Sequence, residues 1–333
     1  VYLCNNGAYE TFEYTADMLL SVTQPSILAS LIERISISNG DGDPIVCTFT
    51  ADSAGNVLGT VQSPFVYPMD FTAAENLLTA AENFRLGSRL KTVTDDNRTG
   101  YGLDSPQAVV KIAQREGLYS QIDSDGGYHT YTLASGTITL TIGDKDGEFF
   151  YFCEFDGTCY RVSSFLITAF LNADANNYIT GNPADMGGET MQSVSVQTGG
   201  GTLDFYAAYT EQVLPNNELA TDESGSVIYD VNVTLNGETI PQDAFDSLVE
   251  RLGQMTVSGK LDAIREPEGT PRWQMTLTTT QGISRTLAAY SMDAFQDVLA
   301  VDGVALQTIS KEALEIALGE FAALPEPTET KTE

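Results

Sequence analysis

An internal echo constrains this chain more than any other feature. Ile35-Ser36-Ile37 alternates, leads into the turn cluster Asn39-Gly40-Asp41-Gly42-Asp43, and returns as Ile45-Val46-Cys47-Thr48-Phe49. In the second half, Val194-Ser195-Val196 leads into Gly199-Gly200-Gly201 and returns as Leu203-Asp204-Phe205. A helical face follows each pair. Phe71, Ala74, Leu77, Leu78, Ala81 and Phe84 share one stripe; Phe245, Leu248, Val249 and Leu252 share another, behind Pro241. Pro106 precedes Val110 and Ile112 as Pro271 precedes Met275 and Leu277. Asp156-Gly157 has a counterpart in Asp302-Gly303, and each is followed by a serine, Ser163 or Ser310, that opens a short apolar helix.

The spacing between counterparts tests the echo. It is 159 residues at the first strand, 171 at Leu77 and Leu248, 165 at the prolines, 146 at the Asp-Gly turns and 147 at the serines. The rise requires an insertion in the second half, which the polar run 215–226 supplies. The fall requires a shorter second meander, between Ile283 and Asp302. Changes of length at turns are what a duplicated unit tolerates. The expected fold is α+β: two tandem copies of a unit with antiparallel β-meanders and two helices each. The expected boundaries are an N-terminal segment 1–23, a first repeat 24–172, a linker 173–188, a second repeat 189–322 and a disordered tail 323–333. Locally, Thr72 and Glu75 read as a capping box, and Gly87 as the end of that helix. Asp156-Gly157 reads as part of a three-residue hairpin loop.

Charge narrows the partners. Among 333 residues, 46 are acidic and 16 basic, a formal charge of −30. Residues 1–172 hold 21 acidic and 9 basic side chains, so both halves are negative. Such a field repels phosphate backbones and anionic lipid, so nucleic acid and direct lipid binding are not expected. The chain has no apolar run of membrane-spanning length. It starts at Val1 rather than Met, which suggests the loss of a leading signal or anchor. Four cysteines, Cys4, Cys47, Cys153 and Cys159, allow three disulfide connectivities. Cys153 and Cys159 flank the Asp-Gly turn; a disulfide between them and free thiols packed as small hydrophobes both suit that position.

The sharpest local signature is Tyr101-Gly102-Leu103-Asp104-Ser105-Pro106. Gly102 permits a left-handed turn, Tyr101 and Leu103 bring apolar bulk, Asp104 can accept from nearby backbone amides, and Pro106 holds Ser105 extended. Tyr67-Pro68-Met69-Asp70 precedes the first helix, and Ile142-Gly143-Asp144 lies in the later meander. Phe150-Tyr151-Phe152 and Cys159-Tyr160-Arg161-Val162 flank the hairpin turn. Together these resemble the bacterial domain-of-unknown-function family 4340 over residues 24–172. Leu261-Asp262-Ala263-Ile264-Arg265 stands in the corresponding place of the second half, without the hallmark. The resemblance implies an envelope protein held at the outer face of the cytoplasmic membrane by an N-terminal anchor. It also implies association with transport systems of the ABC type, and it carries no catalytic residue.

A search for chemistry gives little. His129 is the single histidine and lies in a strand pattern between Tyr128 and Thr130, so a nucleophile triad lacks a visible base partner. Gly199-Gly200-Gly201 lacks the Lys-Ser/Thr ending of a phosphate loop. Asp41-Gly42-Asp43, Asp123-Ser124-Asp125-Gly126 and Asp144-Lys145-Asp146-Gly147 set oxygens at alternate positions, as calcium requires, but Asp-Gly is also ordinary hairpin chemistry. No catalytic, cofactor-binding or metal-binding residue is therefore assigned. The expected role is a non-catalytic extracellular module that binds a protein partner such as a membrane transport component. The alternatives are a calcium- or glycan-binding protein and a hydrolase with paired carboxylates.

Overall fold

The computed structural model describes residues 22–51, 55–122, 126–215, 217–222 and 225–322. Segments 1–21 and 323–333, Cys4, and the Asp123-Ser124-Asp125 part of one acidic turn lie outside the described residues. The chain is α+β, dominated by antiparallel sheet with short helices. It divides into two compact units that meet in sequence between Ile179 and Thr180. The segment 173–188 contributes to both cores: Ala175 and Ile179 are buried in the first unit, Ala184 and Met186 in the second. Apolar side chains at these positions give the segment something to bury, despite its Asn, Gly and Pro content.

In the first unit a nine-stranded sheet has the order β4-β3-β2-β1-β6-β9-β10-β11-β5. The strands are β1 (Ile32–Ser38), β2 (Ile45–Ala51), β3 (Val57–Ser63), β4 (Tyr67–Pro68), β5 (Arg89–Thr92), β6 (Ala108–Gln114), β9 (Gly136–Lys145), β10 (Phe150–Phe155) and β11 (Thr158–Ser163). β7 (Gly117–Ile122) and β8 (Tyr128–Leu133) pair only with each other, as a separate ribbon. Ile35 stands opposite Cys47 on one side and Ile112 on the other, all fully buried. Helix α1 (Phe71–Glu82) lays Ala74, Leu77, Leu78 and Ala81 against β3 and against helix α3 (Ser164–Leu171). Each buried leucine of this kind contributes about 2 kcal/mol of transfer free energy.

Three local expectations are corrected here. The cap of α1 is Asp70, whose carboxylate accepts from the Ala73 amide at 3.0 Å, so Thr72 is already helical. Phe71, the first helical residue, leaves the stripe and is 49% exposed. Asn83 closes the helix, whereas Gly87 lies against β11, its amide donating to the Arg161 carbonyl at 2.8 Å. A side chain at Gly87 would press on that carbonyl, which explains the glycine better than a helix end does.

The second unit has the sheet order β15-β14-β13-β12-β17-β18-β19-β20-β16. These strands are β12 (Met191–Thr198), β13 (Gly201–Glu211), β14 (Tyr229–Leu235), β15 (Glu238–Ile240), β16 (Gly259–Arg265), β17 (Trp273–Thr279), β18 (Ser284–Ser291), β19 (Gln296–Val301) and β20 (Val304–Ser310). Helix α4 (Gln242–Gly253) buries Phe245, Leu248 and Leu252, and a short helix α5 (Ala313–Leu318) buries Leu314, Ala317 and Leu318. α5 starts after Glu312, and the Ser310 hydroxyl accepts from the Glu312 amide rather than from within the helix. In the first unit Ser163 does hold the capping position of α3, but its side chain makes no capping bond.

Strand by strand, the two orders run in parallel. They differ where the sequence spacing changes. Between β6 and β9 the first unit inserts the β7–β8 ribbon, whereas β17 and β18 are joined across Thr280–Ile283. Between β13 and β14 the second unit makes a polar excursion held by bridges from Val213 to Leu219 and from Thr221 to Val227. The Asp-Gly turns have two residues, not three: Phe155 pairs with Thr158 and Val301 with Val304. Asp156 and Gly157 have φ of 48° and 68°, Asp302 and Gly303 of 49° and 85°. Both central residues are left-handed, as the right-handed twist of a tight hairpin demands.

Candidate functional site

The Tyr101–Pro106 turn is built onto the outer side of the β9–β10–β11 meander. Helix α2 (Asp95–Arg98) passes into a 3-10 turn, Thr99–Tyr101, which Gly102 ends at φ 68°. The backbone at Tyr101 then presses on Gly143 in β9. A Cβ at Gly143 would collide with the Tyr101 carbonyl oxygen, and one at Gly102 would collide with the Asp144 carboxylate. Two glycines, one in the motif and one in the Ile-Gly step, thus serve one close approach: Gly143 admits the Tyr101 backbone and Gly102 admits the Asp144 carboxylate. Leu103 is 2% exposed, and the Tyr101 ring meets Phe152 at 4.9 Å between centroids. The Gln107 amide joins the turn to β9 through the Ile142 carbonyl at 2.8 Å.

Charges tie the same region. Arg98 bridges Glu154 at 2.9 Å and Asp104 at 3.4 Å, and the Thr99 hydroxyl donates to Asp104 at 2.5 Å. Asp104 therefore takes side-chain partners from the preceding turn, not the backbone amides its position suggested. Arg161 pairs with Asp146. These contacts organise a structural surface, and half-exposed pairs of this kind contribute little stability each.

The hairpin register settles the cysteines. Cys153 stands opposite Tyr160, and Glu154 opposite Cys159, so strand alternation puts the two thiols on opposite faces. Cys47, Cys153 and Cys159 are free and fully buried. Burial pushes the Cys47 and Cys159 thiols up to about 12, and raises Cys153 as well. In the unfolded chain a thiol ionises near about 8.5. The folded state keeps its thiol protons to higher pH, so this stabilisation is complete below that value and is lost as pH rises toward the folded pKa. Urea unfolding at about pH 8 and about pH 10 should show wild-type stability falling by more than that of a variant with all three cysteines changed to alanine. Equal losses in the two proteins would disprove the linkage.

Large aromatic side chains stand in solvent at, or at a helix start beside, corresponding turns of the two units. Phe149 is 61% and Phe165 87% exposed, and the Ser164 amide donates to the Phe149 carbonyl at 2.8 Å, which brings their segments together. In the second unit Phe295 is 81% exposed, and the Lys311 amide donates to its carbonyl at 3.0 Å. The Asp293 carboxylate accepts from the Phe295 and Gln296 amides at 2.7 and 2.8 Å, fixing the turn that displays the ring. The same two amides hold the Asp293 carboxyl below its usual range. Phe149 and Phe295 are 146 residues apart, the spacing of the Asp-Gly turns. Neither phenylalanine stands out in the sequence by itself; the shared spacing is the one signal that marks them there. The β7–β8 ribbon adds Leu118, 70% exposed, beside a stacked Tyr119–Tyr131 pair at 5.4 Å.

The remaining sequence candidates are dispersed. His129 sits in β8 opposite Gln121, exposed, on the ribbon. Asp41 and Asp43 are exposed in the β1–β2 turn, Asp144 lies against Gly102, and Asp146 is held by Arg161. Among the described residues no three or more His, Cys, Asp or Glu side chains converge on a common point. Trp273 is 3% exposed, so it serves the second core rather than a stacking surface. No described helix is long and apolar enough to cross a membrane. Comparison with protein-family models, with curated proteins and with solved structures returned no match.

Proposed function

We propose that this chain is a non-catalytic binding module, displayed on the outer face of a bacterial cytoplasmic membrane, that docks onto a component of a membrane transport system. The observation that carries the reading is the pair of aromatic displays: Phe149 and Phe295 at corresponding turns of the two units, with Phe165 at the start of α3 beside the first. A phenylalanine in water forgoes up to about 3 kcal/mol of burial, and exposed aromatics of this kind are the usual anchors of protein interfaces. The formal charge of −30 favours a protein partner with basic groups around an apolar pocket over anionic lipid. The resemblance of residues 24–172 to family 4340 agrees with an envelope setting. The parallel strand orders support reading the chain as one unit duplicated, so that the partner would be gripped twice by related surfaces.

The test is site-specific photo-crosslinking from positions 149, 165 and 295 in native membranes, with the full-length anchored protein. Adducts with a transport-system subunit that disappear when the three phenylalanines become serine support the reading. Adducts only with a second copy of the chain, or none, overturn it. All three side chains are exposed, so the serine variant should keep its thermal midpoint.

A further inference from the structure

We infer that the first unit holds a binding site for a neutral sugar, in the cavity at the end of its sheet where Gln114 closes β6. This inference stands on its own observations and is independent of the partner reading. The core-facing row of β6 is Ala108, Val110, Ile112 and then Gln114, the first three fully buried and Gln114 6% exposed. An amide thus continues a row that is otherwise apolar. Its Nε2 donates to the Ser26 carbonyl at 2.9 Å, which fixes which way the amide points, since the reverse orientation would set two oxygens together. Its Oε1 is buried without any partner. An unmet buried acceptor costs about 1–3 kcal/mol. The corresponding buried polar residue of the second unit, Thr279, is satisfied: its hydroxyl accepts from the Ile283 amide at 3.3 Å.

Gln114 lines a cavity of about 630 Å³, within the size range of small-molecule sites. Directly across the ladder stands Gly136, and a Cβ there would meet nothing within 4 Å. The missing side chain leaves room beside the amide. Phe155 and Tyr160 supply an aromatic wall, and Thr158, opposite Phe155 in the hairpin, lies in the same lining. Arg89 and Asp156 add one charge of each sign, with Asp156 exposed at its turn, so the lining carries no net charge. A neutral amide acceptor, hydroxyls and aromatic faces match a ligand with many hydroxyls and an apolar C–H face. Either a free sugar or the terminal residue of a glycan has that chemistry.

The test is saturation-transfer difference NMR on the full chain. The probes are glucose, galactose and N-acetylglucosamine, each as the monosaccharide and as a disaccharide. Transfer to at least one probe is expected, with loss of at least tenfold in affinity in Gln114→Leu. Gly136→Leu, which puts a side chain into the cavity beside Gln114 at a backbone position that accepts one, should abolish transfer while leaving the thermal midpoint unchanged. Signal from monosaccharides assigns a free sugar, and signal from disaccharides alone assigns a glycan end. No transfer to any probe overturns the inference, as does transfer that survives Gly136→Leu in a folded protein.

Discussion

Gly143→Ala is expected to destabilise the first unit by about 3 kcal/mol, the upper range for forcing a methyl into a packed site. The contact it disturbs is backbone on backbone. Behind the Tyr101 oxygen lie the Tyr101 carbonyl carbon at 3.2 Å and the Gly102 carbonyl carbon at 3.3 Å from the added methyl. No flexible side-chain end can swing away, so the whole turn must lift. Lifting it loosens Leu103, parts the Tyr101 and Phe152 rings, and strains the Arg98 link to Glu154. Gly136→Ala in the same strand is the control. Its methyl enters open space, and replacing a strand glycine there should be neutral or slightly stabilising. Urea unfolding of both variants checks the contrast. A change below about 0.5 kcal/mol in Gly143→Ala would mean that the turn rests loosely on the sheet.

In the second unit, Arg272→Met should cost about 3 kcal/mol, and adding Asp297→Leu should recover most of it. Asp297 is fully buried in β19 and meets the Arg272 guanidinium at 2.6 Å, while its Oδ1 has no partner. Removing the arginine leaves a buried carboxylate with no compensation, the costly half of a buried ion pair. Removing both partners takes away the desolvation cost along with the attraction, so the double variant should approach wild type. Arg272 is 43% exposed, which keeps the expected loss at the lower end of the range for buried pairs. Thermal unfolding of the two single variants and the double variant measures the coupling. Additive losses would show that Asp297 is held by something other than Arg272.

Much of the architecture was legible because its signals are local and periodic. Alternation marked Ile35–Ile37 and Val194–Val196, and spacing marked the stripes of Leu77 and Leu248; each lies in the expected strand or helix. The changes in spacing also have physical counterparts, the β7–β8 ribbon and the excursion after β13. Caps were less legible: Thr72 reads as the cap, but Asp70 holds that position, with the Met69 and Asp70 amides donating to the distant Gly59 and Tyr178 carbonyls just before the helix. Of the aromatic displays the sequence holds only the shared spacing, not the exposure. Phe149 and Phe150 look alike in sequence, yet Phe149 stands in the turn and Phe150 enters the ladder opposite Ser163.

The amino-acid sequence alone determined the alternation, the helical stripes, the position of the Asp-Gly turns though not their length, and the acidic field, because each depends on neighbours a few residues apart or on simple sums. Only the tertiary structure decided which glycine serves a turn and which serves a contact. Gly143 and Tyr101 are 42 residues apart, and their collision exists only once β9 runs beneath the turn. The same holds for the thiols, whose faces follow from a hairpin register one residue different from the expected loop. It holds too for Gln114, whose unmet oxygen arises from the three-dimensional accounting of hydrogen bonds around a buried group, which no stretch of chain contains by itself.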